Sequence, residues 1–280
     1  MRNIRKLTRT MQLISTARFQ ASYNRATGTK PYVEKLAELV ADISCSSEST
    51  SHPLVQPRPE ILQDAMIIIT SNRGLCGSYN ANVLRASLAH FAETEAKGRK
   101  TDLFVAGKKG VNYFRFLGRE IRERLMQIKE APRFEEVAPI ADNVMKAYIN
   151  GTYGAIFVAY MRFVSVGQQR ATVLQLLPLA DAPSKSSAKA PESRRVEYEF
   201  SPEPAELLNE LFPAMVRVRL FQCLMDATVS EHIARMVAMK AATDAAGDMI
   251  TTLTRQYNRA RQTHITMELL DIVGGANALT

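Results

Sequence analysis

Residues 214–250 read AMVRVRLFQCLMDATVSEHIARMVAMKAATDAAGDMI, with no proline and a single glycine, and the proline-free stretch runs on to Thr280. Apolar residues recur at alternating intervals of three and four: Leu211, Met215, Val218, Met225, Val229, Met236, Met239, Ala246, Ile250, Leu253, Tyr257, Ala260 and Met267. That is the period of one face of an α-helix. Gln222, His232, Thr243 and His264 interrupt it. At ~1.5 Å per residue such a helix would be roughly 100 Å long. Ordinary globular helices run about 8–20 residues. A helix this long needs a partner along its apolar face, and the partner decides the fold.

The other end of the chain offers one. Ile4, Leu7, Met11 and Ile14 are spaced three, four, three, and Ala17 and Ala21 extend the series with small residues. This predicts a heptad seam. Arg5, Arg9 and Arg18 fall beside it, and Val33, Leu36, Leu39, Val40 and Ile43 carry the rhythm on. Pro31 marks a kink or a local restart. The expected pairing is an antiparallel coiled coil of the N-terminal helix (1–50) with the C-terminal helix (203–280), thin and adaptable because its seam is rich in Met and Ala.

Between the arms the period changes. AMIIIT (65–70) is a short β-branched run typical of a buried strand. SNRGLCGSYN (71–80) is a Gly-rich turn into a helix, KTDLFVAG is a second strand, and KKGVNYFRFL and FEEVAPIADNVMKAYING are helices. YGAIFVAYMRF, ATVLQLLPL and VEYEF complete the strands, and 181–195 has the composition of a mobile loop. Strands alternating with helices predict a central doubly wound, Rossmann-like α/β domain over 60–200. The fold class is therefore α/β, joined to a long coiled coil.

Bulk properties narrow the function. The chain has 280 residues, 46% apolar, and a formal net charge of +8. Residues 1–33 hold Arg2, Arg5, Lys6, Arg9, Arg18, Arg25 and Lys30 and no acid. Such an arm suits nucleic acid or an acidic protein surface alike, but no DNA- or RNA-binding motif accompanies it. No apolar run reaches the ~18–20 residues that cross a membrane. The acid-free start resembles a transit peptide only until its helical pattern continues into the body of the chain. Cys45, Cys76 and Cys223 are three and far apart, which argues against a disulfide framework and against zinc. The four histidines have no metal-ligand spacing.

Catalysis is not visible. The 71–80 turn could cradle a phosphate on backbone N–H groups, or could be a connection whose glycines let two elements pack closely. It matches neither common phosphate-loop pattern, and AGKKG (106–110) lacks the following Ser or Thr. A Cys76 nucleophile has no neighbouring His in the sequence.

The end of the chain is unusual. No basic residue follows Arg261 and no charge follows Asp271, whereas a helix end in water commonly carries Lys or Arg in its last turn.

ITMELLDIVGGANA (265–278) resembles the C-terminal signature of the gamma subunit of F-type ATP synthases, with Ile265, Thr266, Glu268, Asp271, Gly275 and Ala276 at the matching positions. ARMVAMKAATDAAGDMI (234–250), YNRARQ (257–262), SNRGLCG, QLLPL (175–179) and NIRKLTRTMQLISTAR resemble other parts of that family, in order along the chain. Family members carry more N-terminal helix than this chain shows. The resemblance implies a non-catalytic rotor shaft, without cofactor or metal, turning inside a ring of alpha and beta subunits. It couples proton flow to the conformational cycle of the beta subunits. The α/β domain would stand at the foot, against the epsilon subunit and the membrane c-ring. Arg261, Gln262, Thr266 and Glu268 would form a polar catch on beta, Arg235 a further contact, and Arg5, Lys6 and Arg9 would suit acidic loops of beta. No nucleic-acid partner is implied. The implied location is peripheral, on the cytoplasmic face of a bacterial inner membrane. The competing expectations are a coiled-coil scaffold without torque, and a nucleotide enzyme using the 71–80 turn.

Overall fold

The structure, a computed structural model, describes residues 1–46, 52–179 and 204–278. Helix α1 (Arg2–Ser46) is followed by β1 (Gln63–Ile69), α2 (Tyr79–Ala96), β2 (Lys100–Ala106), α3 (Lys108–Phe116), β3 (Glu123–Arg124), α4 (Phe134–Ile149), β4 (Ala155–Phe163), β5 (Gln169–Leu177) and α5 (Pro204–Ala278). The five strands form one sheet in the order β3-β2-β1-β4-β5. β1, β2, β3 and β4 are parallel, and β5 joins the β4 edge antiparallel.

The pattern of β1 explains the layers. Ala65, Ile67 and Ile69 face a core shared with α4 and α5, while Met66 and Ile68 face one shared with α2 and α3. A strand buried on both faces reads as a continuous apolar run, as the sequence suggested. The β1–α2–β2 and β2–α3–β3 connections cover one face; the β3–α4–β4 connection crosses to the far side of β1 and covers the other. This is the expected doubly wound arrangement. β3 was not foreseen, because two residues carry no period. The 181–195 loop and the VEYEF strand lie outside the described residues.

The terminal helices pair as predicted, through the predicted Leu36, Val40 and Ile43 of α1 and Val218, Met225, Val229, Met239 and Ala246 of α5, but the first part of the α1 seam is built of other residues. Thr8 Oγ1 accepts from Thr243 Oγ1 at 2.8 Å, and Thr29 Oγ1 donates to Gln222 Oε1 at 3.3 Å. Both pairs of residue numbers sum to 251, so the helices run antiparallel without a register slip between them. The α1 face turned inward carries Thr8, Ser15, Ser22 and Ala26, and then Leu36, Val40 and Ile43. These still follow a heptad, but Ile4, Leu7 and Ile14 stand beside the seam with about half their surface exposed. The expectation weighted apolarity alone. Small hydroxyl residues can occupy a close helix–helix contact when the helix backbone satisfies them. Ser15 Oγ donates to Met11 O at 2.8 Å and Thr8 Oγ1 to Arg5 O at 3.1 Å. Pro31 neither ends nor restarts α1, which is continuous across it.

Candidate functional site

The sequence pointed to two places, the 71–80 turn and the tip of α5. The turn leaves β1 at Thr70 and enters α2 at Tyr79. Asn80 holds it closed: its Oδ1 accepts from Ser71 N at 3.0 Å, and its Nδ2 donates to Ser71 Oγ at 2.8 Å. Leu75 takes a left-handed φ of 61° and is exposed, while Cys76 beside it is buried. Opposite the turn, Gly107 has φ 93°, and a Cβ there would stand 2.1 Å from Thr70 O. Only glycine lets β2 turn into α3 so close to β1.

Among the described residues the turn opens on no ligand-sized cavity. The cavity at the carboxyl ends of β1 and β2 measures about 40 Å³, because Leu224, Ala227, Thr228 and Glu231 of α5 fill the crevice. Ligand pockets run to ~300–1,000 Å³. The carbonyls of Arg73 and Gly74 point at α5, where Arg235 donates to both at 3.3 Å. Within the turn, Gly77 takes a left-handed φ of 56°, while a Cβ on Gly74 or Gly77 would meet nothing closer than 3.4 Å; the close approach that requires glycine is at Gly107.

Arg235, expected to meet a partner subunit, is committed inside the chain. It is buried, donates to Glu231 Oε1 at 2.7 Å, and braces the turn from below. Burial raises the pKa of Glu231, with Arg235 opposing the shift. Tyr79, fully buried nearby, has its phenol pushed up by burial first and by Glu231 second. His232 is held down to about 4, by burial and then by Arg235 and Arg18. Among the described residues its Nδ1 has no hydrogen-bond partner.

The remaining site residues fall into two groups. Arg5, Lys6 and Arg9 are exposed on α1. The Arg5 guanidinium lies over Gly247, 3.8 Å from where a Cβ would stand. Arg9 Nη1 donates to Gln12 Oε1 at 3.2 Å. Arg261, Gln262, Thr266 and Glu268 are exposed on α5 beyond the pairing. Helical geometry puts Gln262 and Thr266 on one side and Arg261 and Glu268 on another. Thr266 Oγ1 donates to Gln262 O at 2.9 Å, and Glu268 approaches His264 Nδ1 at 3.6 Å. The helix register places Arg9 level with the residues near 242, so the two groups are separated along α5 by about 30 Å. The structure does not bring them together.

What sequence reasoning missed is an ionic cluster at the root of the helix pair. Glu130, on the segment between β3 and α4, pairs with Arg18 of α1 through one oxygen and with Arg73 of the turn through the other, the latter at 2.9 Å. Glu231 and Arg235 lie beside them. The members come from four separate stretches of chain, and no spacing rule links them.

Among the described residues, no three His, Cys, Asp or Glu side chains gather as a metal site, and no helix is long and apolar enough to cross a membrane. The geometry thus describes a doubly wound body carried on a two-helix shaft, with the last part of α5 exposed and without a neighbour among the described residues. A family model described as ATP synthase matches residues 1–279. The ATP synthase gamma chain of Rhodopirellula baltica is 40% identical over 280 residues, covering 99% of this chain and 95% of that one. That of Maridesulfovibrio salexigens is 36% identical over 276 residues, covering 98% and 94%. Among solved structures, the Tetrahymena thermophila mitochondrial ATP synthase central stalk and c-ring contains a chain of the same fold. The TM-score is 0.59 at 20% identity, over 85% of this chain and 99% of that one. The chain belongs to the family of ATP synthase gamma chains.

Proposed function

We propose that this protein is the central rotor shaft of an F-type ATP synthase. It is a non-catalytic subunit that couples proton flow to the conformational cycle of the catalytic beta subunits. The observation that carries the reading is the projecting part of α5: every residue from Thr251 to Gly274 is exposed, on a continuous helix. Its apolar residues Leu253, Tyr257, Ile265 and Ile272 lie uncovered, and most helical stability in proteins comes from packing an apolar face, so it fits a surrounding sleeve. Family membership supplies the sleeve as a ring of alpha and beta subunits. Rotation then does work because each beta conformation binds nucleotide differently.

In this reading Arg261, Gln262, Thr266 and Glu268 form the catch on beta, and Arg5, Lys6 and Arg9 meet acidic loops lower down. Arg235 acts indirectly by holding the turn. The α/β body (60–200) rests on the epsilon subunit and the c-ring, with the helices 1–50 and 203–280 as the shaft. The similarity to bacterial gamma chains supports a peripheral subunit of the membrane complex on the cytoplasmic face of a bacterial inner membrane. The uncharged tip slides in an apolar collar, where a fixed charge would lose hydration. Unchanged ATP-driven rotation after replacing 272–280 with a charged tail would remove that last element.

The deciding experiment is co-expression with the alpha and beta subunits of its own operon. The expected result is a stable complex whose ATPase activity depends on this chain and falls in the Arg261→Ala, Gln262→Ala variant. A chain that stays apart leaves the scaffold reading in its place.

A further inference from the structure

The ionic cluster lies where the helix pair leaves the α/β body. Its parts come from α1 (Arg18), the β1–α2 turn (Arg73), the segment before α4 (Glu130) and α5 (Glu231, Arg235). Glu130 spans two of them, one carboxylate oxygen on Arg18 and the other on Arg73. Arg235 joins α5 to the same turn through the carbonyls of Arg73 and Gly74, and is itself fixed by Glu231. Glu130 is therefore the one carboxylate of the cluster that ties the N-terminal helix to the body.

Stability does not account for this arrangement. The Arg18 and Arg73 side chains are 41% and 70% exposed, and exposed ion pairs contribute little. What two converging pairs on one carboxylate do supply is direction. Arg73 fixes the carboxylate on the body side, so a turn of the body relative to α1 is resisted by the Glu130–Arg18 pair. The turn itself is stiff. Asn80 closes it and Thr70 is locked to Ala106 and Gly110 through its hydroxyl, at 2.8 and 2.9 Å. A stiff turn linked to both terminal helices, to α1 through Glu130 and to α5 through Arg235, transmits an angle.

We infer that Glu130, with Arg18 and Arg73, is a clamp that sets the angular position of the α/β body on the helix pair. It is a positioning residue for coupling rather than a contact to another subunit. The inference rests on the rotor reading, because only in a rotor does that angle matter. There, the body's position on the ion-driven ring must match the shaft's position against the beta subunits.

The test has two parts. In a background with Cys45, Cys76 and Cys223 replaced by Ser, spin labels at Lys97→Cys on the body and Lys240→Cys on the shaft report the angle as a distance distribution. Glu130→Gln is expected to broaden it severalfold. The triple variant Glu130→Arg, Arg18→Glu, Arg73→Glu, which restores both pairs with reversed sign, is expected to narrow it again. In the whole complex in vesicles, Glu130→Gln is expected to keep its ATPase rate within about twofold while proton uptake per ATP falls severalfold against an opposing gradient. The triple variant should recover it. An unchanged distribution in Glu130→Gln overturns the clamp. A broadened distribution with unchanged uptake per ATP overturns its role in coupling. A wild-type complex whose ATPase ignores this chain would instead overturn the rotor reading, whatever the labels show.

Discussion

Between Leu208 and Ala246, α5 buries Phe212, Val216, Leu220, Leu224, Val229, Ile233 and Met239, whereas from Thr251 to Gly274 it buries nothing. Both parts carry apolar residues at helical spacing. Leu253, Tyr257, Ile265 and Ile272 would sit as comfortably in a seam as their counterparts below. The lower part has α1, α4 and β4 against it. The upper part has no neighbour among the described residues. Periodicity reports that a helix has an apolar face; it does not report whether that face is covered by the same chain or by another.

Amide exchange should break or sharpen this contrast most clearly. In the isolated chain, amides of 255–274 are expected to exchange orders of magnitude faster than those of 220–240, because the tip can unwind without disturbing a core. Equal protection would mean that the tip packs on something unseen. Next in size, Phe212→Ala removes a side chain 1% exposed that stacks on His52 at 4.8 Å. It should cost about 3–5 kcal/mol by chemical denaturation.

His232 gives a pH-dependent version of the same contrast. Its folded pKa of about 4 lies below the ordinary value of 6.5. The unfolded chain therefore takes up the proton first. Stability from keeping the ring neutral is complete above pH 6.5 and is lost as pH falls toward 4. The full loss is about 3 kcal/mol. Denaturation midpoints between pH 4 and 7 should show this slope in the wild type and a flatter one in His232→Leu.

Smaller again is Thr243→Val, which removes the hydroxyl that donates to Thr8 across the seam. About 1 kcal/mol is expected from the lost hydrogen bond. The smallest effect belongs to Leu253→Ala. On the uncovered tip it should change the stability of the isolated chain by less than ~0.5 kcal/mol. A cost of several kcal/mol there would show that the tip folds back on its own chain.

Legibility followed the range of the interaction. The strand AMIIIT, the helices after it and the pairing of the two ends were visible because each depends on near neighbours or on overall period. The first part of the α1 face was misread, while Leu36, Val40 and Ile43 further along are buried as predicted. Ile4, Leu7 and Ile14 form the most apolar series, but Thr8, Ser15 and Ser22 form the contact, and only the closeness of α5 makes small hydroxyl residues preferable there. Arg235 was legible as important through its family motif, yet its work inside the chain was not, since its acceptors lie about 160 residues away. Glu130 gave no signal at all, sitting in an irregular segment between a two-residue strand and α4.

By itself the sequence determined the two long helices, the α/β order between them and the membership of the gamma-chain family, because helical period, strand composition and motif order are written in adjacent residues. The tertiary structure alone decided which face of α1 is buried and that the crevice over β1 is filled rather than open. Each of those depends on which surfaces meet in space. The free energy of a meeting belongs to both surfaces and cannot be read from either one.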